Sequence, residues 1–301
     1  MPGAVPARLG LQRTRVPVLL PVVMVLALSL AALPARPAAA SAPALGNAVA
    51  EAAGAFGSPG TLAVVITPQH GRVAGLTARA LEARTARLVS ATADNGQADR
   101  VFPTASLVKL FVAEGLLHRA RTGRVALSPG DLATLQDMIA RSSDPAASQM
   151  WVRFDGPGLV REVAVRYGLR ATAPPRASGQ WGETTTTARD LARFLAALPV
   201  VAAPDDAATL TGWMTAAAPQ GADGFDQRFG LLGTAPATPA VKQGWMCCLG
   251  GQRHLHSVGV VQGLVVVLLS EVPRSVGWDA GRAALSAAAR PLAAVPPPGT
   301  P

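Results

Sequence analysis

The chain carries only two lysines, Lys109 and Lys242, against twenty-five arginines. The difference is chemical: arginine supplies positive charge but keeps its proton inside a protein, whereas a desolvated lysine can become a neutral amine and act as a base. The first lysine closes the run Ser106-Leu107-Val108-Lys109. A serine and a lysine three apart on a helix share a face, so the amine can reach the hydroxyl. An ordinary lysine, with a pKa near 10.4, is a free amine in about one molecule in 2,500 at pH 7. A useful base therefore needs its pKa lowered by about three units, or about 4 kcal/mol. Burial supplies that much, and a second ammonium nearby pushes the same way. Lys242, which opens Lys242-Gln243-Gly244-Trp245, is the candidate neighbour.

These side chains need elements to hold them. The spacing predicts a helix after Pro103 with Thr104 as its N-cap, because Leu107, Leu110, Phe111 and Leu117 recur at helical intervals. Ser106 then falls in the first turn, where unpaired backbone N–H groups and the positive helix end favour a developing oxyanion. Further helices are predicted over 47–56, from Ser128-Pro129 to about Arg141, from Ser143 or Asp144 with Pro145 at the first position, and over 157–167, 188–198, 205–217 and 276–294. Strands are expected over 61–67, 87–93, 240–248, 254–261 and 264–271, with Gly250-Gly251 as a hairpin turn. Residues 68–85 are ambiguous, and 169–186 reads as a loop.

Arg8, Arg13 and Arg15 precede an uncharged apolar run over 16–33, and Ala38-Ala39-Ala40 follows. This is the pattern of an export signal occupying residues 1–40 and cleaved after Ala40; an uncleaved membrane anchor is the alternative, disfavoured by Pro17 and Pro21. No cysteine follows the run, so no lipid anchor is expected there. Residues 1–40 hold four arginines and no acid, so the net charge falls from +9 to +5 on cleavage. What remains suits one large domain over 41–295, with an α/β lobe (41–104 with 236–295), a helical lobe (105–235), and a disordered tail over 296–301. The fold class expected is α/β, an antiparallel sheet flanked by helices beside an all-helical lobe, with the site between them. The protein is expected to be secreted or cell-wall associated, with no stable membrane span after cleavage and no nucleic-acid partner.

Cys247 and Cys248 are the only cysteines and are adjacent. Small buried fillers on a strand is the favoured reading, and a vicinal disulfide the alternative. His254 and His256 share a strand face, and Cys247 is expected opposite His254. Two or three ligands on one hairpin leave a metal shell incomplete, so no metal is assigned and no cofactor is implied. The absence of a G-x-S-x-G elbow argues against an α/β-hydrolase triad.

Four segments together resemble the class A β-lactamase and D-alanyl-D-alanine peptidase superfamily, the penicillin-recognising serine hydrolases. They are Thr104-Ala105-Ser106-Leu107-Val108-Lys109, Met138-Ile139-Ala140-Arg141-Ser142-Ser143-Asp144-Pro145-Ala146-Ala147, the threonines from Thr184 to Thr187, and Val241-Lys242-Gln243-Gly244-Trp245. The resemblance spans residues 47 to about 290. It implies that Ser106 is the acylated nucleophile, Lys109 its base, Ser142 or in another register Ser143 a proton shuttle, and Lys242 a positive charge near a substrate carboxylate. Asp144, Gln243, Gly244 and Trp245 would line the substrate site, and the N–H groups of Ser106 and Trp245 the oxyanion hole.

The chain also departs from the family. Asp144 stands where an asparagine is expected, and as a carboxylate it only accepts and opposes the lowering of the Lys109 pKa. Gln243 replaces a small hydroxyl residue. Nothing over 154–187 matches the E-x-x-L-N loop whose glutamate directs water onto the acyl-enzyme; Glu162 and Glu183 are both misplaced. The resemblance therefore implies an exported serine acyl-transferase or hydrolase for D-Ala-D-Ala-like peptides of peptidoglycan, with β-lactams as covalent ligands. A true class A β-lactamase and a catalytically silent cell-wall-binding homologue are the alternatives.

Overall fold

The computed structural model describes residues 41–70, 91–236 and 238–297. The expected export signal, most of the ambiguous stretch, the start of the strand expected over 87–93 and the last four residues of the tail lie outside them. The order is α1 (Ala42–Ala55), β1 (Thr61–Pro68), β2 (Ala93–Asp94), β3 (Val101–Pro103), a 3-10 turn (Ala105–Leu107), α2 (Val108–Arg121), α3 (Pro129–Ala140), α4 (Asp144–Arg153), α5 (Gly156–Tyr167), a second 3-10 turn (Trp181–Glu183), β4 (Thr185–Thr187), α6 (Ala188–Val201), α7 (Pro204–Thr215), α8 (Gly230–Thr234), β5 (Ala240–Leu249), β6 (Gln252–Val261), β7 (Leu264–Pro273) and α9 (Trp278–Ala293).

Five strands form an antiparallel sheet in the order β2-β1-β7-β6-β5, and β3 pairs with β4 in a small second sheet. Period-two alternation sends the side chains of each central strand to two cores. Val64, Ile66, Leu255, Val266 and Leu268 meet α1 and α9 through Leu45, Val49, Leu285 and Leu292. Ala63, Val65, Val258, Val267 and Leu269 join a second core with α2 and α6, where the Phe111 and Phe194 rings meet edge to face at 5.1 Å. Lys242 pairs with Val258 and Gly244 with His256, which puts Lys242 on the face of the sheet that packs against α2 and α6.

The helix starts follow local chemistry. Ser128 and Asp131 form a reciprocal capping box on α3, and Ser143 caps α4 by accepting from the Ala146 N–H at 3.4 Å. Helix α1 starts earlier than expected, at Ala42, because Ser41 accepts from the Ala44 N–H and Pro43 lies in the first turn. Thr104 stands at the N-cap position, as expected, but of a 3-10 turn ahead of α2 that contains Ser106; its backbone is helical and its hydroxyl makes no cap, donating instead to the Gly182 carbonyl at 3.4 Å.

Candidate active site

Strand β3 delivers the chain to Ser106 under tight control. The Thr104 N–H donates to the Thr184 carbonyl at 2.7 Å, and the Leu107 N–H to the Thr104 carbonyl at 3.0 Å. Between them Ala105 is held at φ +46°, a left-handed conformation that a residue with a Cβ adopts only under constraint. Behind the turn lies Gly244 of β5, where a Cβ would come within 3.2 Å of both the Thr104 carbonyl oxygen and the Leu107 side chain. This close approach explains the glycine.

His256, opposite Gly244, ties the same junction to the sheet. Its Nε2 lies 2.9 Å from the Pro103 carbonyl, and its Nδ1 accepts from the Ser270 N–H at 3.3 Å. A carbonyl only accepts, so Nε2 carries the proton and the ring is neutral. Burial pushes its pKa down to about 3, helped by neighbouring His254. Cys247 faces Arg253 rather than His254, whose partner is Met246. Among the described residues no group of three or more His, Cys, Asp or Glu side chains converges as a metal cluster. The two cysteines are not buried fillers: they are joined by a disulfide at the end of β5, with Cys247 exposed, where the pairing with β6 slips a residue.

Five predicted residues come together here. Lys109 is completely buried, and its Nζ lies 3.0 Å from Ser106 Oγ, 2.5 Å from the Ser142 carbonyl oxygen, 3.3 Å from Ser142 Oγ and 2.6 Å from Asp144 Oδ1. An ammonium has three hydrogens for these four oxygens. A neutral amine fits differently: two hydrogens serve the Ser142 carbonyl and Asp144, and the lone pair accepts from the Ser106 hydroxyl. Lys242, also buried, donates to the Gln243 carbonyl at 2.8 Å and lies 2.7 Å from Ser142 Oγ. One hydroxyl thus bridges two amines.

Ser142, like Ala105, has a positive φ, +55°. Its segment is pinned by the Ala222 N–H to the Arg141 carbonyl at 2.7 Å and the Ala218 N–H to the Ala140 carbonyl at 2.9 Å. Ser143 is spent on the α4 cap, which leaves Ser142 as the serine facing the lysines.

Burial dominates the electrostatics of both amines. It lowers the Lys109 pKa, while the Asp144 carboxylate, chiefly, pushes it back up. Lys242 is driven well below the ordinary value, by burial first and the Lys109 charge second. Without a direct carboxylate partner, Lys242 is the more readily deprotonated of the two.

The other expected substrate residues are placed differently. Gln243 is buried and turned toward the 227–229 segment, its amide donating to the Gln227 carbonyl at 3.0 Å and to the Phe229 carbonyl. Trp245 stacks on Phe225 at 4.7 Å, and its indole N–H donates to Asp223 at 3.1 Å. Glu162 is engaged away from the site by Arg119 and Arg124, and Glu183 lies in the 3-10 turn after Trp181. Trp181 has no motif to announce it, yet its ring centre lies 4.9 Å from Lys109 Nζ, and its N–H donates to Ser148 of α4 at 3.2 Å. His256 was legible only as a paired histidine. Asp223 carried no signal at all.

No protein-family model matches the chain. Over 196 residues it is 40% identical to the proteins named "Putative lipoprotein LppW" of Mycobacterium tuberculosis and Mycobacterium bovis, a match covering 62% of this chain. It spans about three fifths of the length of those relatives, 59%. Among solved structures, a β-lactamase from Chitinophaga pinensis superposes with a TM-score of 0.62 at 14% identity, covering 82% of this chain and 98% of that one. A β-lactamase from Xanthomonas campestris gives 0.61 at 18% identity (83% and 97% covered), and the class A β-lactamase of Mycobacterium abscessus 0.60 at 17% (81% and 97%). The chain thus has the mixed α/β fold of the class A β-lactamases, the fold of the penicillin-recognising superfamily that its motifs resemble.

Proposed function

We propose that the chain is an exported serine acyl-transferase or hydrolase that forms an acyl-enzyme at Ser106 with peptide-like amides and β-lactams, residues 41–295 being its catalytic domain. The observation that carries this reading is a buried lysine amine 3.0 Å from the Ser106 hydroxyl, bridged through Ser142 to a second buried amine. Burying two ammonium groups around one hydroxyl is unfavourable, so the pair holds one proton fewer than two lysines normally would. With Lys242 as the neutral member, a proton passes from Lys109 to Ser142 Oγ as Ser142 gives its own to Lys242. Lys109 is then free to take the Ser106 proton as Oγ attacks the carbonyl carbon. When the C–N bond breaks, that proton goes to the leaving nitrogen. Export is supported by the basic and apolar start of the chain and by relatives named as lipoproteins.

Release of the acyl group is a separate matter. Among the described residues Asp144 is the carboxylate hydrogen-bonded into this network, and it is held by Lys109, so none of them supplies a carboxylate free to aim a water at the ester. The Trp181 ring centre lies 4.9 Å from Lys109 Nζ, a neighbour that offers no base for such a water. Acyl transfer to an amine therefore fits better than β-lactam hydrolysis.

Incubation with millimolar benzylpenicillin, followed by intact mass, tests this. The expected result is an adduct on Ser106 that outlives its formation time by at least about tenfold. Rapid turnover of the adduct would support a β-lactamase instead. No adduct with any β-lactam would leave a silent wall-binding homologue, the reading that Asp144 and Gln243 favour.

A further inference from the structure

A disulfide ordinarily stabilises a fold by closing a loop of chain and tying two parts of it together. The Cys247–Cys248 bridge does neither. Its partners are neighbours in the sequence, so it encloses no chain, and both lie at the end of one strand, β5. No other cysteine exists for either to pair with.

What the bridge does have is access. Cys247 is exposed and Cys248 half-buried, in the hairpin that Gly250 and Gly251 turn with φ of +58° and +76°. A disulfide sulfur open to solvent is one that a thiolate can attack. The reduced pair also has a place in this fold. From Ala240 opposite Val260 to Cys247 opposite Arg253 the β5–β6 register is regular, and it slips by one residue at Leu249, which faces Gln252. Without the bridge, Cys248 can take Gln252 as its partner in the unbroken register. Leu249-Gly250-Gly251 is then a three-residue hairpin loop, a common length, and the rest of the sheet keeps its pairing. The pair also borders the cleft. Met246, just before it, lies against the turn that carries Trp181: a Cβ on Gly182 would come 3.4 Å from Met246 Sδ.

We propose that Cys247–Cys248 is a thiol-exchange site, a bridge that small-molecule thiols open at the cleft end of β5 while the fold stays intact. The thiolate of the small molecule bonds to Cys247 Sγ as the Cys247–Cys248 bond breaks, and the electron pair goes to Cys248 Sγ, which takes up a proton. A second thiolate attacks the small molecule's sulfur in the mixed disulfide, and Cys247 leaves and takes up a proton in turn. Two small thiols are thereby oxidised to one disulfide, and the protein gains two electrons and two protons. A small-molecule disulfide closes the ring again by the reverse steps. This inference stands apart from the acyl-enzyme reading, and its test uses no chemistry at Ser106, so either can fail alone.

In the test, folded protein is incubated with millimolar glutathione at about pH 8, alkylated with iodoacetamide and weighed intact. Two alkyl groups, or one alkyl group and one glutathione, are expected, mapped by peptide mass to Cys247 and Cys248, against none when glutathione is left out. The melting temperature of the reduced protein is expected to stay within about 3 °C of the oxidised one. Cysteines that react only after a denaturant is added would overturn the proposal, by putting the bridge beyond a thiol's reach. Alkylation before any reductant would overturn it too, because there would be no bridge to exchange. A larger fall in melting temperature would do the same, by giving the bridge a structural role.

Discussion

Replacing Lys109 by methionine is expected to slow covalent capture of benzylpenicillin by about 10³-fold, with little loss of folding stability. Methionine matches the length and apolar stem of lysine but has no basic nitrogen, so Ser106 keeps its place and loses its proton acceptor. Stability is expected to hold because the ammonium form of Lys109 has to be stripped of water, and an apolar side chain in that volume avoids the cost. The exposed Asp144 returns to solvent contact. Initial rates of adduct formation report the first effect, and urea denaturation the second. A variant that folds normally and is captured at the wild-type rate would show that Ser106 is activated without the amine.

The second large effect concerns Lys242. Methionine there is expected to slow capture at pH 7 by about 10²-fold and to move the rising limb of the pH–rate profile to higher pH. The sign follows from the neighbours. Lys109 must be neutral to accept a proton, burial favours that form, and Asp144 opposes it. Removing Lys242 takes away the neutral amine that receives a proton through Ser142. That loss leaves Lys109 protonated up to a higher pH, so activity is recovered by alkali. Asp144→Asn acts in the opposite sense, moving the limb to lower pH. A profile for Lys242→Met that is unmoved, or moved downward, would contradict the coupling.

Much of this site was legible because its core is local. Ser106 and Lys109 sit three residues apart, and the helical intervals behind them need no tertiary information to read. Lys242 was legible because a rare residue type stood on an apolar strand. The choice between Ser142 and Ser143 was not, since either can cap α4; only the fold shows Ser143 capping and Ser142 facing the amines. Long-range placements were hidden for the same reason. Trp181 reaches Lys109 from a loop without periodicity, and Asp223 meets Trp245 across 22 residues. Gln243 was expected in the substrate site, but hydrogen bonds to the 227–229 backbone decide its direction, and no pattern in the strand encodes them. The cysteines misled because adjacent small apolar residues on a strand are usually packed, whereas this pair lies where β5 is leaving regular pairing.

The balance between the lysines was also reversed from the simplest expectation. Lys109, beside the nucleophile, was the one whose pKa needed to fall. The structure pairs it with a carboxylate and gives the stronger lowering to Lys242. Ser142 makes this workable, because a missing proton on one amine can be passed to the other.

The chain's lysine count allows the charge of these amines to be read directly. Protein labelled with ¹⁵N at lysine Nζ carries two such nitrogens, one for Lys109 and one for Lys242. Titration by NMR is expected to show a signal that changes at a pH well below the ordinary lysine value of 10.5, and its loss in Lys242→Met assigns it. Two signals both titrating near 10.5, as exposed lysines do, would contradict the neutral amine on which the activation of Ser106 depends.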